Sequence, residues 1–282
     1  MKTGLVLEGG AMRGLFSAGV MDVLMQHGVR FDGIVGVSAG AAFGCNYKSG
    51  QMGRALRYNQ RFARDKRYCS LRSLLCTGDL FNARFCYHVV PSEYDLFDNE
   101  TFEQDPTAFY VVCTDVQTGK PVYKQLTYGG DEAYEWIRAS ASMPLCARPV
   151  ALDSRLLLDG GISDSIPLAF FQRMGYERNL VVLTQPEGYV KHHNRFLPLM
   201  RLSALRKYPN FIEAVARRHE MYNAQLELVR EAERQGLAVV IRPPQPLPIG
   251  HICHDPAAMQ RVYEMGRDEA SSSMSKVLSI LS

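Results

Sequence analysis

The pentapeptide Gly36-Val37-Ser38-Ala39-Gly40 constrains this chain more than any other feature. It follows directly on the apolar run 31–37, which has the character of a buried strand, and leads into the small residues 39–44, which read as a tightly packed helix start. A serine between glycines at a strand-to-helix turn is the pattern of a nucleophile elbow. The turn is so sharp that the residues two before and two after the serine must lack bulk, which Gly36 and Gly40 satisfy. The hydroxyl then stands above the sheet edge, at the positive end of the following helix. Serines flanked by glycine also occur in ordinary loops, so the rest of the chain has to carry the reading.

Thr3-Gly4-Leu5-Val6-Leu7 is a short apolar run suited to a first buried strand, and it empties into Glu8-Gly9-Gly10-Ala11-Met12-Arg13-Gly14. Leu15, Ala18, Gly19, Val20, Val23, Leu24 and Met25 follow at the spacing of one helix face. Strand, glycine-rich turn and helix together cradle an anion, because bare backbone N–H groups point at a negative oxygen near a helix start. That anion is a phosphate or a tetrahedral oxyanion. A dinucleotide fingerprint fits poorly, since Ala11 stands where its second glycine belongs and no acidic residue follows at a suitable strand end. A P-loop fails for want of Gly-Lys-Ser/Thr. The oxyanion is the better reading.

Leu156-Leu157-Leu158-Asp159-Gly160-Gly161 is an apolar run that ends on a carboxylate. Asp159 would project from a strand end, where open α/β sheets gather their catalytic groups. Asp-Gly is also a common turn dipeptide, and alone it would be read as one. In company with Ser38 and the Gly9 loop, the catalytic reading prevails.

These elements, in this order, resemble the patatin-like phospholipase family. The matching residues are the Glu8–Gly14 stretch with its basic Arg13, the elbow from Gly36 to Gly40, and Asp159-Gly160-Gly161. A fourth match is Ala139-Ser140-Ala141-Ser142-Met143-Pro144 running to Pro149, similar to the alanine-serine-proline segment before the family's aspartate. The resemblance covers about residues 3–185 and departs at one point. The family's first motif usually has three consecutive glycines, and here the third is Ala11, which still supplies an N–H but adds a methyl group.

The resemblance implies an α/β fold: a three-layer α/β/α arrangement with a mostly parallel central sheet and a helical C-terminal extension. The pattern along the chain agrees. Strand-like runs recur at 3–7, 31–37, 108–113, 121–126, 155–158, 179–184 and 237–242, with helical patterns at 14–28, 38–48, 131–142 and 166–175. Thr118-Gly119 reads as a hairpin turn, which predicts one antiparallel pair. The expected organisation is a catalytic domain over 1–186 with a helical insert at about 51–105. A mainly helical extension over 187–282 would pack on it, with a polar helix at about 209–235 and a last helix from about 257.

Composition narrows the class. A net charge of +3 with no basic tract interleaved with aromatics argues against nucleic acid as a partner. No window approaches 18 uninterrupted apolar residues, and no signal-peptide core precedes the first strand. Seven cysteines without paired spacing point to reduced thiols and a cytoplasmic location. His251, Cys253 and His254 lie between prolines with no second ligand pair, so no metal is expected; no calcium loop and no cofactor motif appear. Arg54, Arg57, Arg61 and Arg64 are spaced to stack on one helix face. They are either a dock for anionic lipid headgroups at the inner face of a membrane or a solvated, ion-paired face.

The expected function is hydrolysis of a lipid carboxylic ester. Ser38 would attack the carbonyl while amides of Gly9, Gly10, Ala11 and their neighbours Met12, Arg13 and Gly14 frame the oxyanion. His251 or His254 could formally serve as base, since a Ser-His-Asp hydrolase places its histidine last in the chain. The resemblance instead implies a Ser38–Asp159 dyad with no histidine, which needs a dry, hydrogen-bonded pocket to make the carboxylate basic enough. An inactive lipid-binding or regulatory protein, and an acyltransferase using the same acyl-enzyme, are the alternatives.

Overall fold

The computed structural model describes residues 1–281. Its centre is an eight-stranded mixed sheet. Five strands are parallel: β1 (Lys2–Leu7), β2 (Gly33–Val37), β3 (Ala108–Asp115), β7 (Tyr176–Val182) and β8 (Ala238–Ile241), in the order β3-β2-β1-β7-β8. Three are antiparallel: β4 (Pro121–Leu126) and β6 (Arg155–Asp159) on β3, and β5 (Val150–Leu152) on β6. The β3–β4 hairpin turns at Gly119, whose φ of 66° suits a glycine.

Alternation along the strands makes the layers. Leu5, Leu7, Ile34, Phe109, Val111, Leu180 and Val182 face one core. Val6, Val35, Val37, Val112 and Val181, at the intervening positions, face the other. The first core is covered by α1 (Gly14–Gln26), α2 (Ala39–Lys48), α6 (Asp131–Ser140) and α10 (Pro256–Leu281). The second is covered by α7 (Leu168–Arg173) and α9 (Pro209–Arg234). This is a three-layer α/β/α fold. The segment beyond 186 is woven into it: β8 extends the parallel sheet beside β7, and α10 lies against α1 so closely that a Cβ on Gly19 would stand 2.0 Å from the Tyr263 carbonyl oxygen.

One junction in the sheet sets up everything that follows. β4 pairs with β3 over Phe109–Thr114, so it occupies one edge of β3 along that length. β2, paired over Ala108–Val112, and β6, paired over Cys113–Asp115, therefore share the other edge. β2 runs parallel to β3 and β6 antiparallel, so their C-terminal ends meet head-on. Val37 is opposite Val112 and Asp159 is opposite Cys113. The topology thus delivers the residue after β2 and the last residue of β6 to one point.

The insert after α2 holds α3 (Arg54–Phe62), α4 (Leu71–Thr77), a wide helical turn over Phe85–Tyr94 with Pro91 inside it, and α5 (Asn99–Gln104). Of the two readings of the arginine face, ion pairing describes its first two members. Arg54 is 4% exposed, donating to the Asp95 carbonyl and to Asn46 Oδ1, and its Nε lies 3.3 Å from the Asp95 carboxylate. Arg57 pairs with the same carboxylate at 2.8 Å, and Arg61 donates to the Tyr94 carbonyl. Arg64 is exposed beyond the end of the helix. Spacing put these residues on one face but could not show that Asp95 would claim the first two. A short α8 (Leu197–Leu202) precedes α9. No helix among the described residues is long and apolar enough to cross a membrane.

Candidate active site

Ser38 stands at the turn between β2 and α2 with φ 55° and ψ −120°, a backbone conformation that L-residues rarely adopt. The strain is held by close packing on both sides. A Cβ on Gly36 would sit 2.5 Å from the Gly40 carbonyl oxygen, and one on Gly40 would sit 2.4 Å from the Leu7 carbonyl oxygen. Both neighbours are backbone, so neither glycine can be enlarged without moving a strand. The Ser38 amide donates to Ser140 Oγ at 2.8 Å, and Ser140 in turn donates to the Val112 carbonyl at 2.6 Å. The Ala139–Pro144 segment therefore ties the elbow to β3. It also ties down the acid: the Asp159 amide donates to the Ser142 carbonyl at 2.9 Å.

Asp159 ends β6 at 7% exposure, beside Ser38, which is near enough to influence its carboxyl's ionisation. Asp159 Oδ1 also accepts from the Gly161 amide at 2.8 Å. Burial raises the carboxyl's pKa, while Arg218, the Gly161 amide and Ser38 pull it partly back. Gly160 has no room for a side chain, since its Cβ would lie 2.1 Å from the Val112 carbonyl oxygen. The elbow serine and the strand-end aspartate, 121 residues apart in sequence, are neighbours because β2 and β6 abut.

The glycine-rich loop lies on the elbow. A Cβ on Gly9 would come within 3.0 Å of Ser38 Cβ, and one on Gly14 within 2.7 Å of Ala39 Cβ. Glu8 anchors the loop from below. Its buried carboxylate accepts from the Thr184 amide and the Tyr222 hydroxyl, each at 2.6 Å, and burial raises its pKa. Thr184 Oγ1 also donates to the Gly9 carbonyl at 3.1 Å. Ala11 and Met12 then open the 3₁₀ turn that runs into α1, where the leading amides have no intrahelical acceptor. Ala11 has φ 50°, the left-handed region in which glycine is at ease. Ala11→Gly is therefore expected to raise stability by about 1 kcal/mol, read from the urea midpoint; an unchanged or lower midpoint would contradict the strain.

On one side of Ser38 the insert closes over a cavity of about 130 Å³. Ala11, Met12 and Ser38 line it, and Phe43, Tyr87 and Met143 are among its apolar side chains. Two-thirds or more of its lining is apolar or aromatic in type, the character of a slot for a hydrocarbon chain. The histidines lie elsewhere. His254 Nδ1 contacts the Ala63 carbonyl, the His193 ring lies tilted against that of His219, and His251 Nε2 lies 3.4 Å from Arg13 Nη1. Among the described residues no histidine hydrogen-bonds Ser38, and no group of three or more His, Cys, Asp or Glu could hold a metal. Sequence reasoning missed Ser140 as a clamp on the elbow, Glu8 and Tyr222 beneath the loop, and Arg218 beside Asp159. Ser140 and Glu8 lie in stretches the resemblance had already singled out, but their roles, like those of Tyr222 and Arg218, depend on partners far away in the chain.

The sequence profile described as patatin-like phospholipase matches residues 5–171, and a domain of unknown function matches 208–282. An uncharacterised Escherichia coli protein, YjjU, is 27% identical over 271 residues, covering 93% of this chain and 74% of that protein. Lysophospholipase NTE1 of Coccidioides immitis is 27% identical over 262 residues, covering 86% of this chain. That stretch is 16% of the fungal protein, so the chain spans a small part of it. VipD from Legionella pneumophila is a structural neighbour with a TM-score of 0.46 and 10% identity, covering 99% of this chain and 67% of that one. With elbow, acid and glycine-rich loop inside the matched span, the chain belongs to the patatin-like phospholipase family.

Proposed function

We propose that this protein hydrolyses carboxylic esters of lipids through an acyl-enzyme on Ser38, with Asp159 as the base. The observation that carries the reading is the meeting of three features at one point. A strained serine, a buried carboxylate beside it, and an apolar cavity that the serine helps to line come together at the β2–β6 junction. Asp159 takes the proton as Ser38 Oγ attacks the ester carbonyl. The amides of the Gly9–Met12 loop receive the oxyanion, a contribution of about 2.7–4 kcal/mol per donor in enzymes of this kind. Collapse of the tetrahedral intermediate breaks the bond to the alcohol, which leaves with the proton from Asp159. Water then gives a proton to Asp159 and attacks the acyl-serine; the carboxylate returns that proton to Ser38 Oγ as the fatty acid departs. The apolar cavity holds the acyl chain.

The test is a series of p-nitrophenyl esters of graded chain length, run beside labelling with a serine-reactive fluorophosphonate. Turnover with a chain-length optimum, and an adduct that Ser38→Ala removes, are the expected results. A folded protein that neither turns over nor takes the label would remove the hydrolase reading and leave a lipid-binding role.

Because the base must be ionised, kcat/KM falls as pH drops through the Asp159 pKa. That pKa is raised by burial, so the acid limb of the profile should lie above the ordinary carboxylate value of 3.8. A limb at or below that value would mean that another group, or a solvated carboxylate, controls the step.

A further inference from the structure

The cavity beside Ser38 is not apolar throughout. Four tyrosines line it: Tyr58, Tyr68, Tyr87 and Tyr134. Two of them are satisfied within the protein, since the Tyr68 hydroxyl donates to Asn59 Oδ1 at 2.9 Å and the Tyr134 hydroxyl lies 3.0 Å from Asn99 Oδ1. Tyr58, on α3, and Tyr87, on the wide turn, are different. Among the described residues neither phenol oxygen has a hydrogen-bond partner. Nor is either among the unpartnered polar atoms that are sealed off entirely, which are Arg13 Nε, Ser17 Oγ, Trp136 Nε1 and Asn179 Oδ1. Both phenol oxygens therefore keep accessible surface. Yet burial raises the pKa of both phenols, so that surface is internal, and the cavity is the internal space that both residues line.

We propose that Tyr58 and Tyr87 hydrogen-bond a hydroxyl group carried on the acyl chain, so that the favoured substrates are esters of hydroxy fatty acids. The proposal rests on the hydrolase reading above and deepens it on the acyl side. Satisfaction is the first argument. A slot for plain hydrocarbon would be better served by phenylalanine, because a chain that seals an unpaired phenol from water costs binding energy. A hydroxyl on the chain removes that cost, and it can accept from one phenol while donating to the other. Polarisation is the second argument. The Arg54 guanidinium lies 5.3 Å from the centre of the Tyr58 ring, and its charge favours loss of the phenol proton, which makes Tyr58 a stronger donor. Arg54 is held there by the Asp95 carbonyl and Asn46, so the polarising charge is fixed before any ligand enters. Origin is the third. Both hydroxyls come from the insert, and Tyr87 sits on a helical segment of a wide type that recurs at functional sites. The negative charge of Asp159 raises the Tyr87 pKa as well, so this phenol is within electrostatic reach of the base.

The experiment compares kcat/KM for a medium-chain p-nitrophenyl ester and for its monohydroxy derivatives, with the hydroxyl moved one carbon at a time along the chain. At its best position the hydroxyl is expected to raise kcat/KM about tenfold or more in the wild type, with little effect elsewhere. The double variant Tyr58→Phe, Tyr87→Phe keeps both rings and should bring that ratio close to one. A wild-type ratio near one at every position overturns the proposal, since water would then serve the phenols as well as any substrate does. A preference that survives in the double variant overturns it too. Should the double variant fail to fold, the two single variants decide: each is expected to cut the ratio by about threefold, and unchanged ratios in both refute the assignment. If no ester is cleaved, the hydrolase reading has failed by itself. Calorimetry with the free monohydroxy acids and the unsubstituted acid then settles the cavity's preference. Tighter binding of one hydroxy acid that is lost in the tyrosine variants upholds it, and equal affinities refute it.

Discussion

Asp159→Asn is expected to lower kcat for a soluble ester by about 10³–10⁴-fold, Ser38→Ala by at least as much, and the double variant no further than the worse single one. The two groups act as one unit, so the second loss removes nothing that still works. Asparagine keeps the Oδ1 acceptor for the Gly161 amide but cannot take the serine proton. Misfolding is separable from lost chemistry through the sign of the linkage. The folded pKa of Asp159 is raised above 3.8. Between that value and the folded pKa the native protein keeps a proton that the unfolded chain has lost, so stability falls as pH rises through the window. Asparagine has no such ionisation. At neutral pH, Asp159→Asn should therefore unfold at the same or a higher temperature than the wild type, as active-site substitutions that relieve functional strain do. A variant that is dead and also melts early would assign Asp159 a structural duty and leave the base unidentified.

Gly266→Ala carries the largest expected effect on stability. Its Cβ would stand 2.0 Å from the Phe16 carbonyl oxygen, and the same holds in mirror fashion for Gly19 against the Tyr263 carbonyl. These paired glycines let the backbones of α1 and α10 touch. The contact also brings the Tyr263 hydroxyl to Asp22 Oδ2 at 2.7 Å and buries Phe16, Val262 and Val277. A methyl facing backbone on both sides cannot be absorbed by a rotamer change, so the helices must separate. Overpacking of this kind costs about 1–3 kcal/mol, and the upper end is expected here. That is a large part of an ordinary domain's stability. Urea unfolding of Gly266→Ala reads it directly: a midpoint close to wild type would mean that the two helices slide past each other at little cost.

Much of this was legible in the sequence. The runs at 31–37 and 108–113 each became a strand, because a buried strand announces itself in consecutive apolar residues, and 121–126 became a half-buried strand beside the predicted hairpin turn. The run at 237–242 likewise became β8, and the helices from about 209 and 257 formed as read. Ser38 and the Gly9 loop were legible for a different reason: a sharp turn and a close backbone approach tolerate few residue types. Val150–Leu152 was too short to signal as a strand. Spacing left the Arg54 face open between two readings, because it records which residues share a side, not that an aspartate 41 residues away pairs with the first of them.

The head-on meeting of β2 and β6 gives β3 the part of a common ruler. Val112 fixes where the nucleophile stands and Cys113 where the base stands, and both residues are fully buried. The two reacting groups therefore share one reference rather than being placed by separate loops. Thermal breathing in the surrounding helices and in the insert leaves their separation untouched, whereas loosening β3 disconnects both together. A protein built this way can vary the insert that walls its cavity, and with it the choice of substrate, while the reacting pair stays in register.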